Sequence, residues 1–339
     1  KGVFRSTLFP PDPRQEKSSG LPELVDVIAA IRGDVPDHVP VGFSLHFPRI
    51  AKTVEEDLKF HLDFFRETDT DIIKIMNENL VPDFGEIRTP DDWNKIPALS
   101  LNDSFMLNQI ELVKRIMDQA DPDAFSLGTL HGICASAIHP IEARYGYEAV
   151  RELQVTHFRE NKKPMIEAWK RIADCMANLA QKYIELGVDG VYYAGLGAER
   201  RYFTDEEFAE CIETFDKQIL QAVKEAGGYT FLHMCKDGLN MQRYASYKEL
   251  SDVVNWGVYE APFSIEEGRK LFGDVTVMGG LANRSGVMVD GSIDELKAAS
   301  KKLIETYGKR RFILGADCTL PTEIPYERIH AIVEAAREI

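Results

Sequence analysis

Apolar and polar positions alternate along this chain with two different periods. Short apolar or β-branched runs occur at 39–46, 71–77, 124–130, 188–194, 229–233, 253–260, 275–280 and 311–315, which makes eight strand candidates. Between the runs, apolar residues recur at helical spacing, and long helices are expected over 161–187, 204–226, 291–308 and 326–338. Thr53-x-x-Glu56, Thr204-x-x-Glu207, Ser264-x-x-Glu267 and Ser292-x-x-Glu295 each fit a capping box, in which two side chains satisfy backbone N–H groups that a helix start leaves orphaned. Residues 1–20 are polar and punctuated by Pro10, Pro11, Pro13 and Ser18-Ser19-Gly20, so an N-terminal arm outside the core is expected. No Ser/Gly linker or second composition regime divides residues 21–339, and one domain is expected there.

Eight strand–helix units within 339 residues point to the α/β class and to a (β/α)8 TIM barrel. A doubly wound open sheet would display a Gly-rich phosphate turn. Gly195-Leu-Gly197-Ala-Glu-Arg200 is the nearest approach to one, and it lacks the third glycine. The barrel reading carries a forecast about place: chemistry should gather at the C-terminal ends of the strands.

Composition matters here for what it excludes. With 44% hydrophobic and 28% charged residues, the chain is neither disordered nor fibrous. A net charge of −15 argues against a broad phosphate-binding face, and no nucleic-acid partner is expected. No apolar run approaches the roughly 18 residues that span a bilayer, and no signal peptide is evident, so a cytoplasmic enzyme without a membrane partner is expected. The five cysteines are an odd count in a long chain, which argues against a disulfide framework. Cys134, Cys175 and Cys211 are read as buried small hydrophobes.

The remaining two cysteines stand at run ends. The fifth run closes Phe231-Leu-His233-Met-Cys235, and residues i and i+2 of a strand point to one side. The eighth run closes Leu314-Gly-Ala-Asp-Cys318, at the same rim if the barrel forms. One imidazole and two thiolates are preferred zinc ligands, and three protein ligands leave one position open. Glu260, closing the sixth run, is the candidate fourth ligand, although a strand-end Glu serves equally to bind substrate or an Arg. Asn77, His131, Tyr192 and Tyr193 also stand at run ends and are candidate substrate contacts. Arg200-Arg201 is read as a solvated pair or a carboxylate clamp, and His139, His157 and His330 as surface or packing residues.

The pattern His-x-Cys, Glu, Cys on strand ends resembles the zinc site of cobalamin-independent methionine synthase. Over nearly all of residues 21–338 the chain resembles the uroporphyrinogen decarboxylase superfamily. The stretches that carry the likeness are Ile31-Arg-Gly-Asp34, Val39-Pro-Val-Gly42, Leu80-Val-Pro82 and Phe312-Ile-Leu-Gly-Ala-Asp-Cys-Thr-Leu-Pro321. The resemblance implies a (β/α)8 barrel and one of two chemistries. True decarboxylases carry Arg-Gln-Ala-Gly-Arg after the first strand, where this chain reads Phe43-Ser-Leu-His-Phe-Pro-Arg49 with a single arginine. Their essential aspartate falls at or beside Asn77, in Met76-Asn-Glu-Asn79, and an amide lacks the charge a carboxylate offers pyrrole N–H groups. The cobamide-dependent methyltransferases of the superfamily carry His-x-Cys…Cys, matching His233, Cys235 and Cys318. That branch, which includes methylcobamide:coenzyme M and O-demethylase enzymes, implies zinc, a small methyl donor or thiol, and cobalamin on a corrinoid-binding partner protein. The expectation is therefore a zinc-dependent, corrinoid-linked methyltransferase. The alternatives are a uroporphyrinogen decarboxylase and a non-catalytic zinc-bearing barrel that binds a corrinoid protein.

Overall fold

The computed structural model of the chain describes residues 22–48, 53–77 and 80–339. The arm at 1–20, Arg49, Glu78 and Asn79 lie outside the described residues. Seven of the eight runs are strands: β1 (Ile72–Ile75), β2 (Phe125–His131), β3 (Gly190–Gly195), β4 (Tyr229–Met234), β5 (Val253–Trp256), β6 (Thr276–Leu281) and β7 (Phe312–Ala316). All are parallel and hydrogen-bonded in chain order from β1 to β7.

Parallel neighbours need a crossover, which here is mostly helical. Helices α1 (Pro22–Arg32) and α2 (Val54–Thr68) precede β1, and α3 (Ser104–Gln119) joins β1 to β2. The β2–β3 crossover holds α4 (Ile133–Tyr145), α5 (Tyr147–Asn161) and α6 (Lys163–Glu185). Beyond β3 come α7 (Asp205–Phe208) and α8 (Thr214–Glu225); α9 (Ile265–Phe272) precedes β6, α10 (Ile293–Tyr307) precedes β7, and α11 (Tyr326–Arg337) follows it. All four capping boxes form, at Thr53, Thr204, Ser264 and Ser292. The helix expected over 204–226 is interrupted by a π turn at Ala209–Glu213. Among the described residues, no helix is long and apolar enough to cross a membrane.

The run at 39–46 departs from expectation: among the described residues it makes no eighth ladder. It forms two isolated parallel bridges, Val41↔Leu314 and Leu45↔Leu320, on the β7 side. Toward β1 it is tied by a side chain, since Asp71 Oδ2 accepts from Val41 N at 2.7 Å. Pro40 has no N–H to donate and the Asp71 carboxylate takes the N–H of Val41, so continuous strand pairing is not available there.

Side-chain alternation splits the apolar residues into two clusters. Ile72, Phe125, Leu127, Tyr192, Tyr229, Phe231, Val253, Met278 and Ile313 share the inner face of the sheet. Leu24, Val27, Ala30 and Ile31 of α1 belong to the same cluster, so α1 stops its N-terminal end. Leu24 N donates to Asp123 O at 2.7 Å and Thr276 Oγ1 to Ala30 O at 2.9 Å, both where strands begin. The C-terminal end of that face has no such stopper in α1, and polar side chains collect there.

Candidate metal centre

Inward-facing residues of β4 are Phe231 and His233, and the ladder continues one step further, with Cys235 N donating to Gly195 O at 3.0 Å. Lys236 follows at φ 90°, a conformation rare for a residue with a side chain, and turns the chain away from the sheet immediately after Cys235. Past β7, Asp317 N donates to Leu281 O at 2.9 Å and Leu320 N to Ser44 O at 2.8 Å, which fixes the stretch carrying Cys318. One ligand atom each of His233, Cys235 and Cys318 lies within 4.8 Å of the other two. Among the described residues this is the one such group of three or more His, Cys, Asp or Glu side chains.

Asn255, opposite His233 in the β4–β5 register, sets the imidazole's state. Its Nδ2 donates to Met278 O at 2.9 Å and Ala316 O at 3.0 Å, which orients the amide and leaves Oδ1 as a pure acceptor. That oxygen takes Tyr192 Oη at 3.0 Å and His233 Nδ1 at 2.6 Å. His233 therefore carries its proton on Nδ1, and Nε2 is a bare lone pair that is buried without a partner. The Tyr192 ring stacks on the imidazole at 5.6 Å between centroids. A hydrogen bond from Cys235, followed by the nearby His233, holds the Cys318 thiol well below its usual range. The same hydrogen bond, together with burial, pushes Cys235 up. A buried bare imidazole nitrogen beside two cysteine sulfurs is a donor set that fits a soft, borderline divalent ion such as zinc.

Beside this trio opens a cavity of about 160 Å³. Its walls include His46, Lys74, Thr129, His131, His139, Tyr192 and Lys236 besides the trio itself. Lys74 is buried, with Nζ 3.5 Å from the centroid of the Tyr192 ring and donating to Ser44 Oγ at 3.1 Å. Burial pushes its ammonium down to about 8, against the pull of Cys318 and Cys235. His131 meets His139 edge-on at 4.8 Å, and burial, then His139, hold it well below the usual imidazole value.

The candidate residues divide. His131 and Tyr192 line the cavity with the trio. Tyr193, the next residue on β3, faces the opposite way and donates to Asp216. Asn77 is likewise on the outer side, its amide donating to Thr129 O, and it lines no described cavity. Glu260 is exposed on the turn after β5, its N–H donating to Gly257 O at 3.2 Å, and stands outside the group of converging donors. His139 is a cavity wall rather than a surface or packing residue, because α4 brings it back over the end of β2. His157 does pack, accepting from Trp93 Nε1 at 3.1 Å, and His330 faces Glu334 at 3.5 Å. Arg200 and Arg201 are exposed. Cys134, Cys175 and Cys211 are buried, and burial raises all three thiols, Cys134 to about 12 and Cys175 to about 11. Sequence reasoning missed Lys74, His46 and Asn255. A single lysine inside Ile72-Ile73-Lys74-Ile75 and a single amide inside Val253-Val254-Asn255-Trp256 were the available signals.

Two solved structures share this architecture. A methyltransferase from Methanosarcina mazei superposes with a TM-score of 0.75 at 15% identity, over 94% of this chain and 99% of that one. A B12-independent methionine synthase from a Shewanella species, in complex with selenomethionine, superposes with a TM-score of 0.60 at 12% identity, over 89% of this chain and 97% of that one. Curated protein sequences yield no significant match. The sequence profile of the family described as Uroporphyrinogen decarboxylase (URO-D) matches residues 73–339, from within β1 to the last residue. On that match, the chain belongs to the uroporphyrinogen decarboxylase family.

Proposed function

We propose that the chain is a zinc-dependent methyltransferase that moves a methyl group between a small substrate or thiol and cobalamin carried by a corrinoid-binding partner. The observation that carries the reading is the convergence of His233, Cys235 and Cys318 on the edge of a cavity of about 160 Å³. Zinc bound there would act as a Lewis acid, holding a thiol as thiolate at neutral pH or polarising a methyl donor. Within the chain, Asn255 holds the His233 proton on Nδ1 and so leaves the Nε2 lone pair free to hold the ion, while Tyr192 stacks on the ring. Cys235 and Cys318 would hold the ion as thiolates, giving up their thiol protons to solvent. Three protein donors beside a cavity would leave a fourth position for substrate, and Glu260 stands on an exposed turn outside the converging group. A closed, purely structural zinc site has no such side, which weighs against the non-catalytic barrel.

Decarboxylation of uroporphyrinogen draws support from the family match itself. Against it stand the lone Arg49 and a cavity of about 160 Å³. Typical small-molecule sites occupy roughly 300–1,000 Å³, and a tetrapyrrole is a large ligand among them.

The test is metal content and shell. Purified protein should hold about one zinc, and a Cys235→Ser/Cys318→Ser variant far less; X-ray absorption should give Zn–S near 2.3 Å and Zn–N near 2.0–2.1 Å. Homocysteine or coenzyme M should add a sulfur to that shell and accept methyl from methylcobalamin. Demethylation of a methoxylated substrate with a reduced corrinoid protein, and no added sulfur, would assign the demethylase direction instead. Equal metal in both proteins, or coproporphyrinogen formed at about 1 s⁻¹ or faster, would overturn the reading.

A further inference from the structure

The geometry points to an anionic substrate: we infer that the cavity beside the trio takes a small molecule bearing a carboxylate or equivalent oxyanion, cradled by Lys74 and Thr129. The inference rests on the proposed metal site for its charge balance, and it names the substrate class of that site.

Lys74 is 8% exposed and projects from β1 to the inner face. Its Nζ meets the Ser44 hydroxyl and the Tyr192 ring, and among the described residues no carboxylate pairs with it. A buried ammonium with no counter-charge is unfavourable. The acidic groups that act on Lys74 are the thiols of Cys318 and Cys235, and a divalent ion would neutralise both as ligands: two thiolates and one M²⁺ sum to zero. The loaded site, before a substrate enters, then lacks one negative charge, opposite Lys74.

Thr129 supplies a second, independent observation. It pairs in register with Tyr192, is 2% exposed, lines the cavity, and its Oγ1 has no hydrogen-bond partner. A buried hydroxyl with nothing to donate to is costly unless a ligand accepts from it. Lys74 sits one strand away, with Met76 between them along β1. His131, His139 and Lys236 complete the walls, and no described Asp or Glu lines the cavity in a chain whose net charge is −15. An oxyanion placed between the ammonium and the hydroxyl accepts a hydrogen bond from each, the one from Lys74 charge-assisted.

The experiment measures ligand-observed NMR affinities for two isosteric pairs, mercaptopropionate against mercaptopropanol and propionate against propanol. It uses the protein as purified and after zinc loading. In both pairs the carboxylate should bind at least about tenfold tighter than the alcohol, and Lys74→Met should cut that preference below about threefold. Zinc content and the alcohols' affinities should be unchanged in that variant. Methionine keeps the volume of the lysine stem, so the variant should unfold at or above the wild-type temperature. Thr129→Val, which removes only the hydroxyl, should lower the preference about two- to fivefold. Equal binding of carboxylate and alcohol by the wild type overturns the inference, as does a preference that survives Lys74→Met. If propionate is preferred but no thiol sulfur enters the zinc shell and no methoxylated substrate is demethylated, the methyltransferase reading fails and the anion site stands. If sulfur enters without any carboxylate preference, the reverse holds.

Discussion

Asn255 makes one nitrogen of His233 a ligand and the other a donor, using an amide whose direction two backbone carbonyls dictate. Partners of this kind typically contribute 10–100-fold to metal affinity, so Asn255→Ala should weaken zinc binding by about that factor. Alanine leaves room for water to reach the two carbonyls, so the variant should remain folded. Competition against a chromophoric chelator reads the affinity and circular dichroism confirms the fold; an affinity within about threefold of wild type would show that Asn255 does not set the imidazole. At this scale the sequence was informative where chemistry and period coincide. His233 and Cys235 are two residues apart on a strand, and that spacing alone predicts a shared side. The role of Asn255 depends on the β4–β5 register, and the role of Lys74 on which face of β1 points inward; neither is written in local spacing.

At the scale of elements, helix starts were legible because a capping box is a contact between residues three apart, and all four form. Strand ends were legible as positions but not as directions: Tyr192 enters the site and its neighbour Tyr193 leaves it. The loop after β3 is held by groups invisible in sequence. Arg151 on α5 and Glu199 beyond β3 are fully buried, with Arg151 Nη2 3.4 Å from Glu199 Oε2 and 3.1 Å from Gly197 O. Tyr147 also donates to Glu199, and the guanidinium lies over Tyr202 at 4.7 Å. Arg151→Met strands a buried carboxylate and should cost about 3–5 kcal/mol in urea unfolding, with much of that regained in Arg151→Met/Glu199→Gln. A single variant within about 1 kcal/mol of wild type would show that the pair is not structural.

For the molecule as a whole, Asp216 is where separate elements meet. It sits on α8 and accepts from Tyr193 on β3, from Ile133 N at the start of α4 (3.3 Å) and from Tyr247 Oη (3.0 Å). Burial raises its carboxyl from 3.8 to about 7, despite those three donors. Between these values the folded chain holds a proton that the unfolded chain has released. Stability therefore falls as pH rises from about 4 to about 7 and is flat beyond, by at most on the order of 4 kcal/mol. Asp216→Asn should remove that slope. Unfolding free energies of the two proteins should diverge in the variant's favour across this window, and a pH-independent difference would mean that Asp216 is ionised throughout.

What the sequence determined by itself was local: eight runs of strand length, the caps between them, and soft metal donors at run ends, because each follows from spacing within a few residues. It also carried the family, through stretches whose likeness does not depend on folding. The tertiary structure decided what depends on distant partners. It drew Cys318 to within 4.8 Å of His233 and Cys235, turned Tyr193 and Asn77 away, left Glu260 exposed outside that group, and made walls of Lys74 and His139. It also left the run at 39–46 as two bridges instead of a ladder, since a proline without an N–H and a carboxylate that captures the next one act only when β7 and β1 arrive on either side.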